Sequence, residues 1–389
     1  MTNQPMRQPG KDDVVNLYAV GDVGPNREDP ESLFSPAAPV LRQADILFGQ
    51  LEMQLSERGT LQVDSMHGII GPLMRAHPRN VAALTSAGFN VISCTANHGL
   101  DFGADAFLDT IDILRQNNIL VIGAGKDLAE ARNPAIIERK GTRFGFLAYC
   151  SVVAAGRAAG IDTPGLAPMR ASTFYEQFDY QPGTPPRIIT IPNHEDLEAL
   201  EKDIRNLRPL VDLVIVSMHW GVHFVPAVIP MYEWEVGHAA IDAGADLIVG
   251  GHPHILNGIE VYKGKLIFHS LGNFAFDVST EAIPKGARAR IRELSKIFPK
   301  FLTIDPDYPT YPFHPDSRKT MVLKCTISNK QIQRISFLPA LINKRGQPEI
   351  LRHDHVGFKE ILSYVREACE KKELDTRFEI EGDEVLIRT

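Results

Sequence analysis

The sequence predicts an α/β fold with a metal site at the ends of its strands. Three observations predict it. Short apolar runs alternate with helical patterns from about residue 15 to residue 277, as expected of helices packed on a largely parallel sheet. The run Leu247-Ile248-Val249 breaks at Gly250-Gly251 and delivers His252-Pro253-His254. Two imidazoles one residue apart, stiffened by proline, can converge on a divalent cation. Two further runs end alike, one at His219-Trp220-Gly221 and one at Asn97-His98.

Val14 to Val20 reads as the first strand and stops at Gly21-Asp22; Asp45 to Gly49 reads as the second and runs into Gln50-Leu51-Glu52. Pro78 to Gly88 has apolar residues at helical spacing and a glycine stop. The strand Phe89 to Cys94 follows. Asp101 is placed to cap a helix over Ala104–Gln116, whose buried side is Ala106, Leu108, Ile111, Ile113 and Leu114. Ile119–Ile122 and Phe144–Tyr149 read as strands, His194–Leu207 as a charged amphipathic helix, and Met231–Ala243 as a helix ended by Gly244. Met321–Ile327 and Ile332–Leu338 alternate around Ser328-Asn329-Lys330-Gln331, a hairpin signal, and Val356–Glu373 reads as a terminal helix. Arg170–Arg187 and Thr280–Arg318 read as insertions. The expected organisation is a main domain over 14–345, with core motifs in 16–277, an insertion or lid at 280–318 and a closing hairpin at 321–340. A C-terminal extension with a helix follows at 346–389.

The 389 residues carry a net charge of −7, with 44% hydrophobic and 23% charged residues. That balance offers no basic face for nucleic acid. The N-terminal MTNQPMRQPGKDD has no apolar core of a signal peptide, and no run approaches the ~20 apolar residues that cross a bilayer. Four dispersed cysteines form no CxxC pair. The expectation is a cytoplasmic protein without a membrane span.

Asp22 and Glu52 sit at strand ends, where a carboxylate serves as a ligand, a cap or a solvated side chain. Asn97-His98 reads as a ligand pair or a hydrogen-bonded pair, and His219 as a ligand or a buried histidine bonded to backbone. Their common position at the ends of successive strands, where α/β sheets build sites, favours the metal reading. Two carboxylates, an amide and up to four imidazoles exceed one tetrahedral ion and suit two ions roughly 3.5–4 Å apart, bridged by Glu52. Such a centre performs hydrolysis at phosphorus or at an acyl carbon.

The ordered blocks Gly21-Asp22, Leu51-Glu52, Asn97-His98-Gly99-Leu100-Asp101-Phe102-Gly103, His219-Trp220-Gly221, Gly251-His252-Pro253-His254 and Ser270-Leu271-Gly272-Asn273-Phe274 resemble the CapA family. These are poly-γ-glutamate capsule biosynthesis proteins with a calcineurin-like metallophosphatase fold. The resemblance implies a four-layer α/β/β/α sandwich and two divalent ions (Mn, Fe or Zn). It implies that Asp22 holds one ion and Glu52 bridges, that Asn97, His219 and His252 bind the second, and that His254 turns back to the first. His98 would contact the substrate and protonate the leaving group, so His98 and Asp22 are the expected catalytic residues. Arg27, Arg75, His223 and His269 are expected substrate contacts, with surface ion pairs or ordinary hydrogen-bonded histidines as the alternatives. Gly24 stands where metallophosphatases carry a histidine, so the first ion has one ligand fewer.

The function expected from this resemblance is a metal-dependent hydrolase acting through metal-activated water on a small anionic substrate, an amide or a phosphoester. The alternative is a non-catalytic accessory protein of capsule biosynthesis, with a γ-glutamyl polymer as its partner. In Thr280–Lys300 the cations Lys285, Arg288, Arg290, Arg292, Lys296 and Lys300 face only Glu281 and Glu293, the pattern of a lid that draws in anions.

Overall fold

Two sheets lie face to face with helices on both outer faces. The computed structural model describes residues 13–62, 74–278 and 303–388, with Glu293, Ser295 and Lys296 between them. The strand Val15–Gly24 is the axis of the first sheet. On one side it runs parallel to Ile46–Leu51, followed by Val91–Ser93 and Leu120–Ile122. On the other side it pairs antiparallel with Lys319–Ser328, which leads to Gln331–Ile342 and the terminal hairpin of Arg377–Glu381 and Glu384–Arg388. In the second sheet Leu213–His219 lies parallel between Thr142–Cys150 and Leu247–Gly251, and Lys265–Phe268 continues the parallel set. Ala135–Arg139 and Ile259–Tyr262 are its antiparallel edges.

The period of two along each strand sorts residues between layers. Leu17, Ala19, Phe48, Phe146, Leu213 and Ile215 share the core between the sheets, where the Phe48 and Phe146 rings stack at 6.1 Å. Tyr18, Val20 and Leu47 turn the other way, onto Leu84, Phe107, Ile111 and Leu114 of the helices Val81–Ala87 and Gly103–Gln116. Val214, Val216 and Met218 turn onto Leu200, Ile204, Val236 and Ala240 of the helices His194–Leu207 and Met231–Ala243. The layer order is therefore α/β/β/α, as the resemblance implied. The helix Val356–Glu370 closes one end of the inter-sheet core through Phe358, Ile361 and Val365.

Two expectations are corrected. Asp101 does not cap the helix Gly103–Gln116: Phe102 holds the N-cap position, with no side-chain cap bond. Arg170–Arg187 is not wholly irregular, because Ala171–Glu176 and Arg187–Pro192 pair as a two-stranded ribbon. Apart from Lys296, the cations of the expected lid (Lys285, Arg288, Arg290, Arg292 and Lys300) lie outside the described residues. Among the described residues no helix is long and apolar enough to cross a membrane.

Candidate metal centre

The parallel strands of both sheets end at one rim, and the chemistry-bearing residues sit there. Asp22 lies in Val15–Gly24 and Glu52 follows Ile46–Leu51. Asn97 and His98 follow Val91–Ser93, His219 ends Leu213–His219, and His252 and His254 follow Leu247–Gly251. Apart from Asn97 and His98, which keep partial exposure, these side chains are buried. The turn beyond Gly251 is strained, with φ of 94° at His252 and 57° at His254. Non-glycine residues in that region cost on the order of 1–3 kcal/mol and cluster at functional sites. Gly251 itself admits no side chain, since a Cβ there would lie 2.6 Å from Asp22 Oδ1.

Two ligand sets converge on Glu52. Donor atoms of Glu52, His219 and His252 all lie within 4.8 Å of one another, and so do those of Asp22, Glu52 and His254. Asn97 Oδ1 is 2.9 Å from His219 Nε2 and 3.1 Å from His252 Nδ1, and those two nitrogens are 3.3 Å apart. Lone pairs so close repel unless a proton or a cation lies between them. His254 Nε2 is 3.7 Å from Glu52 Oε1, while its Nδ1 is 2.8 Å from Asn273 Oδ1. Asn273 Nδ2 donates to Tyr311 Oη at 2.8 Å, and that hydroxyl donates to Ser317 O.

The electrostatics are those of a cation site. Asp22 Oδ1 and both Glu52 oxygens are buried without a hydrogen-bond partner. Burial pushes both carboxyls up, and the charges of Asp22 and Asp101 push Glu52 further. Burial first, then neighbouring histidines, holds His219, His223 and His252 well below the ordinary imidazole value. His254 falls to about 3 through burial, against the bond to Asn273. The four imidazoles are therefore neutral at pH 7, the form that binds a metal. Two buried carboxylates among neutral imidazoles carry negative charge that only a cation or protons can offset, so the residues present fit divalent metal.

His98 stands beside this cluster, its Nδ1 2.6 Å from Asp101 Oδ2. Arg157 Nη1 donates at 2.6 Å both to Asp101 Oδ1 and to the Asn97 carbonyl. The ring of His223 lies against His252, with centroids 3.8 Å apart, and is 5.1 Å from His254; its Nε2 is buried without a partner.

Three expected substrate contacts have partners outside the cluster. Arg27 is committed to Asp277 through two bonds of 2.7 Å and to the Arg345 carbonyl, the ion-pair alternative. Arg75 lies over the Phe102 ring, 4.2 Å from its centroid. His269 is fully buried behind Trp220, and both its nitrogens face glutamates, Glu233 at 2.9 Å and Glu260 at 3.4 Å. The sequence reading gave no role to Arg157, Asn273 or Tyr311. Asn273 lies inside a recognised block, whereas Arg157 and Tyr311 carry no local signal.

The family described as bacterial capsule synthesis protein PGA_cap matches residues 5–278. The PGA biosynthesis protein CapA of Bacillus subtilis is 29% identical over 277 residues, which cover 68% of this chain and 64% of that one. A probable polyglutamine synthesis accessory protein of Mycobacterium tuberculosis is 30% identical over 266 residues, covering 67% and 62%. The chain thus spans less than two thirds of the length of these relatives. The calcineurin-like phosphoesterase YfkN of B. subtilis aligns over 92% of this chain and 98% of its own at 13% identity and a TM-score of 0.36. With the family match extending from residue 5 through the last site strand, the chain belongs to the bacterial capsule synthesis protein family PGA_cap.

Proposed function

We propose that this chain is a metal-dependent hydrolase acting on a small anionic substrate, an amide or a phosphoester. The observation that carries the proposal is the pair of buried carboxylates, Asp22 and Glu52, with three oxygens unpartnered among neutral imidazoles. Glu52, Asn97, His219 and His252 would hold one ion; Asp22, Glu52 and His254 would hold the other, Mn, Fe or Zn. Such ions, when bound, supply a Lewis acid and lower the pKa of water to about 7.

The chain's own groups would do the remaining work. Asp101 accepts the His98 Nδ1–H, which leaves Nε2 as the atom that handles a proton at the leaving group. Arg157 ties that dyad to the Asn97 carbonyl, so ligand and proton donor keep one spacing. His223, seated on His252 and His254, covers the site and offers a nitrogen to the substrate. The four cysteines are unpaired and buried, which supports a reducing, cytoplasmic setting.

A second reading is a non-catalytic accessory protein of capsule biosynthesis, in keeping with the mycobacterial relative described as a probable polyglutamine synthesis accessory protein. One observation favours it. A Cβ at Gly24 would lie 2.5 Å from the Phe276 ring, so a phenylalanine fills the room of the missing histidine. Metal content per chain, in wild type and His252→Ala, separates the readings. About two ions, lost in the variant together with turnover of p-nitrophenyl phosphate or γ-glutamyl-p-nitroanilide, is the expected result. No ion after attempted reloading leaves the accessory reading.

A further inference from the structure

Between the second-sheet strand Thr142–Cys150 and the helix His194–Leu207 the chain forms a ribbon of Ala171–Glu176 and Arg187–Pro192. Neither strand pairs with a third among the described residues. Arg187–Pro192 rests on the helix Met231–Ala243, where Thr190 Oγ1 accepts the Tyr232 N–H at 3.1 Å. Ala171–Glu176 is the outer strand, exposed from Ser172 to Glu176. The register sets Tyr175 beside Ile188 on one face and Phe174 beside Ile189 on the other. Phe174 is 53% exposed, Tyr175 72%, Ile188 60% and Ile191 49%, and the connecting turn adds Phe178 at 74% and Tyr180 at 95%. Two strands alone, apolar on both faces, are marginally stable in water. An outer strand without Lys or Pro is also an open template for pairing.

We propose that this ribbon is a dimerisation arm: two copies of the chain pair antiparallel through Ala171–Glu176, about a twofold axis at Thr173. Area and charge select a second copy as the occupant. At ~200 Å² per ring, the four aromatics with Ile188 and Ile191 expose roughly 750 Å² over both faces and the turn, an upper bound on what pairing covers that lies near the ~800 Å² per partner of a stable interface. The axis at Thr173 sets Glu176 of one copy opposite Arg170 of the other at both ends of the pairing. It also sets Phe174 opposite Ser172 and Tyr175 opposite Ala171, so large rings meet small residues and no like charges face each other. Arg170 makes two 2.7 Å bonds to Asp196 and keeps its guanidinium half-exposed, so Glu176 of the other copy would meet it as a second acceptor, while within one copy Glu176 reaches Arg187 only loosely, at 3.7 Å. An anionic bilayer is a poor occupant, because the ribbon has no excess of cations: Glu176 and Asp179 balance Arg187 and an Arg170 already bonded to Asp196.

Sedimentation and cross-linking of the full chain test this. The four native cysteines are buried, so Thr173→Cys places a single accessible thiol at the axis. Opposed Cα atoms in an antiparallel pair are about 4.5–5.5 Å apart, within disulfide reach. The wild type should sediment as a dimer, and Thr173→Cys should link it on mild oxidation about tenfold more than Ser172→Cys, which lies off the axis on the other face. Phe174→Glu with Tyr175→Glu should weaken the dimer about 100-fold while the far-ultraviolet circular dichroism of the folded chain is retained, and its Tm should lose the concentration dependence that dimerisation gives the wild type. A wild-type monomer at its highest soluble concentration overturns the proposal. So does equal linking at the two cysteines, or a dimer that survives the double variant. A monomer that binds phosphatidylcholine–phosphatidylglycerol vesicles through Phe178 and Tyr180 also overturns it, in favour of a lipid surface.

Discussion

Asp101 Oδ2 lies 2.6 Å from His98 Nδ1, and its other oxygen receives Arg157 Nη1 at 2.6 Å. Burial alone would raise the Asp101 carboxyl, yet His98 and Arg157 together hold it below its ordinary value. An ionised Asp101 therefore fixes which His98 nitrogen carries its proton. Asp101→Asn keeps the shape and loses the charge. It should lower kcat about 10- to 100-fold with KM and metal content little changed. An unaltered kcat would remove His98 from the proton-transfer role.

Metal removal should expose the charge problem at Glu52. Glu52 and Asp22 have folded pKa values above their unfolded ones, near 7 for Asp22, so the metal-free native chain binds more protons than the unfolded chain. Its stability is full below about pH 4 as far as these groups go, and falls as pH rises through the raised values. The four imidazoles held below their ordinary value act in the opposite sense below about pH 6.5, so the carboxyls are read above it. The chelated protein should melt lower at about pH 8.5 than at about pH 7, and loading with divalent metal should flatten that slope. Glu52→Gln should raise the chelated protein's stability at about pH 8.5 by about 1–3 kcal/mol and abolish the response to metal. Differential scanning calorimetry at the two pH values reads both effects; identical slopes with and without metal would contradict them.

The rim was legible in the sequence because apolar runs of strand length end at it, and a run's end marks where a polar side chain can stand. Asp22, Glu52, Asn97, His219, His252 and His254 converge for that reason. What stayed hidden depends on distant residues. Asp101 reads as a helix cap until Arg157, 56 positions on, is seen against it. His269 reads as a site residue until Glu233 and Glu260 close on its two nitrogens. The ribbon Ala171–Glu176 and Arg187–Pro192 was missed because apolar residues occupy both its faces, which erases the alternation that marks a half-buried strand.

Asn273 should govern metal affinity without being a ligand. Its Oδ1 accepts from His254 Nδ1, and its amide donates to the buried Tyr311 hydroxyl, which is anchored on Ser317 O. That chain presents His254 Nε2 toward Glu52. Loss of such an outer partner typically weakens metal affinity about 10- to 100-fold. Asn273→Ala should show that loss in calorimetric titration with Mn or Zn. Tyr311→Phe, which keeps the Asn273–His254 bond, should lose less. Equal losses would assign the effect to packing around Tyr311.

His269 should act on stability and leave substrate binding alone. Burial would lower its pKa, but Glu233 and Glu260 outweigh burial and raise it. Glu233 is itself pushed up by burial, while Glu260 is held low by His269 and by His238, whose Nε2 is 2.5 Å from it. A base with a raised folded pKa stabilises fully below its unfolded value and loses that contribution as pH rises through the folded one. His269→Gln should therefore cost about 3–5 kcal/mol at pH 6, less at pH 9, with KM unchanged. The Glu260→Gln variant should relieve part of that cost when combined with it, because the carboxylate left unpaired is then gone. A stable His269→Gln protein with a raised KM would instead return His269 to the substrate.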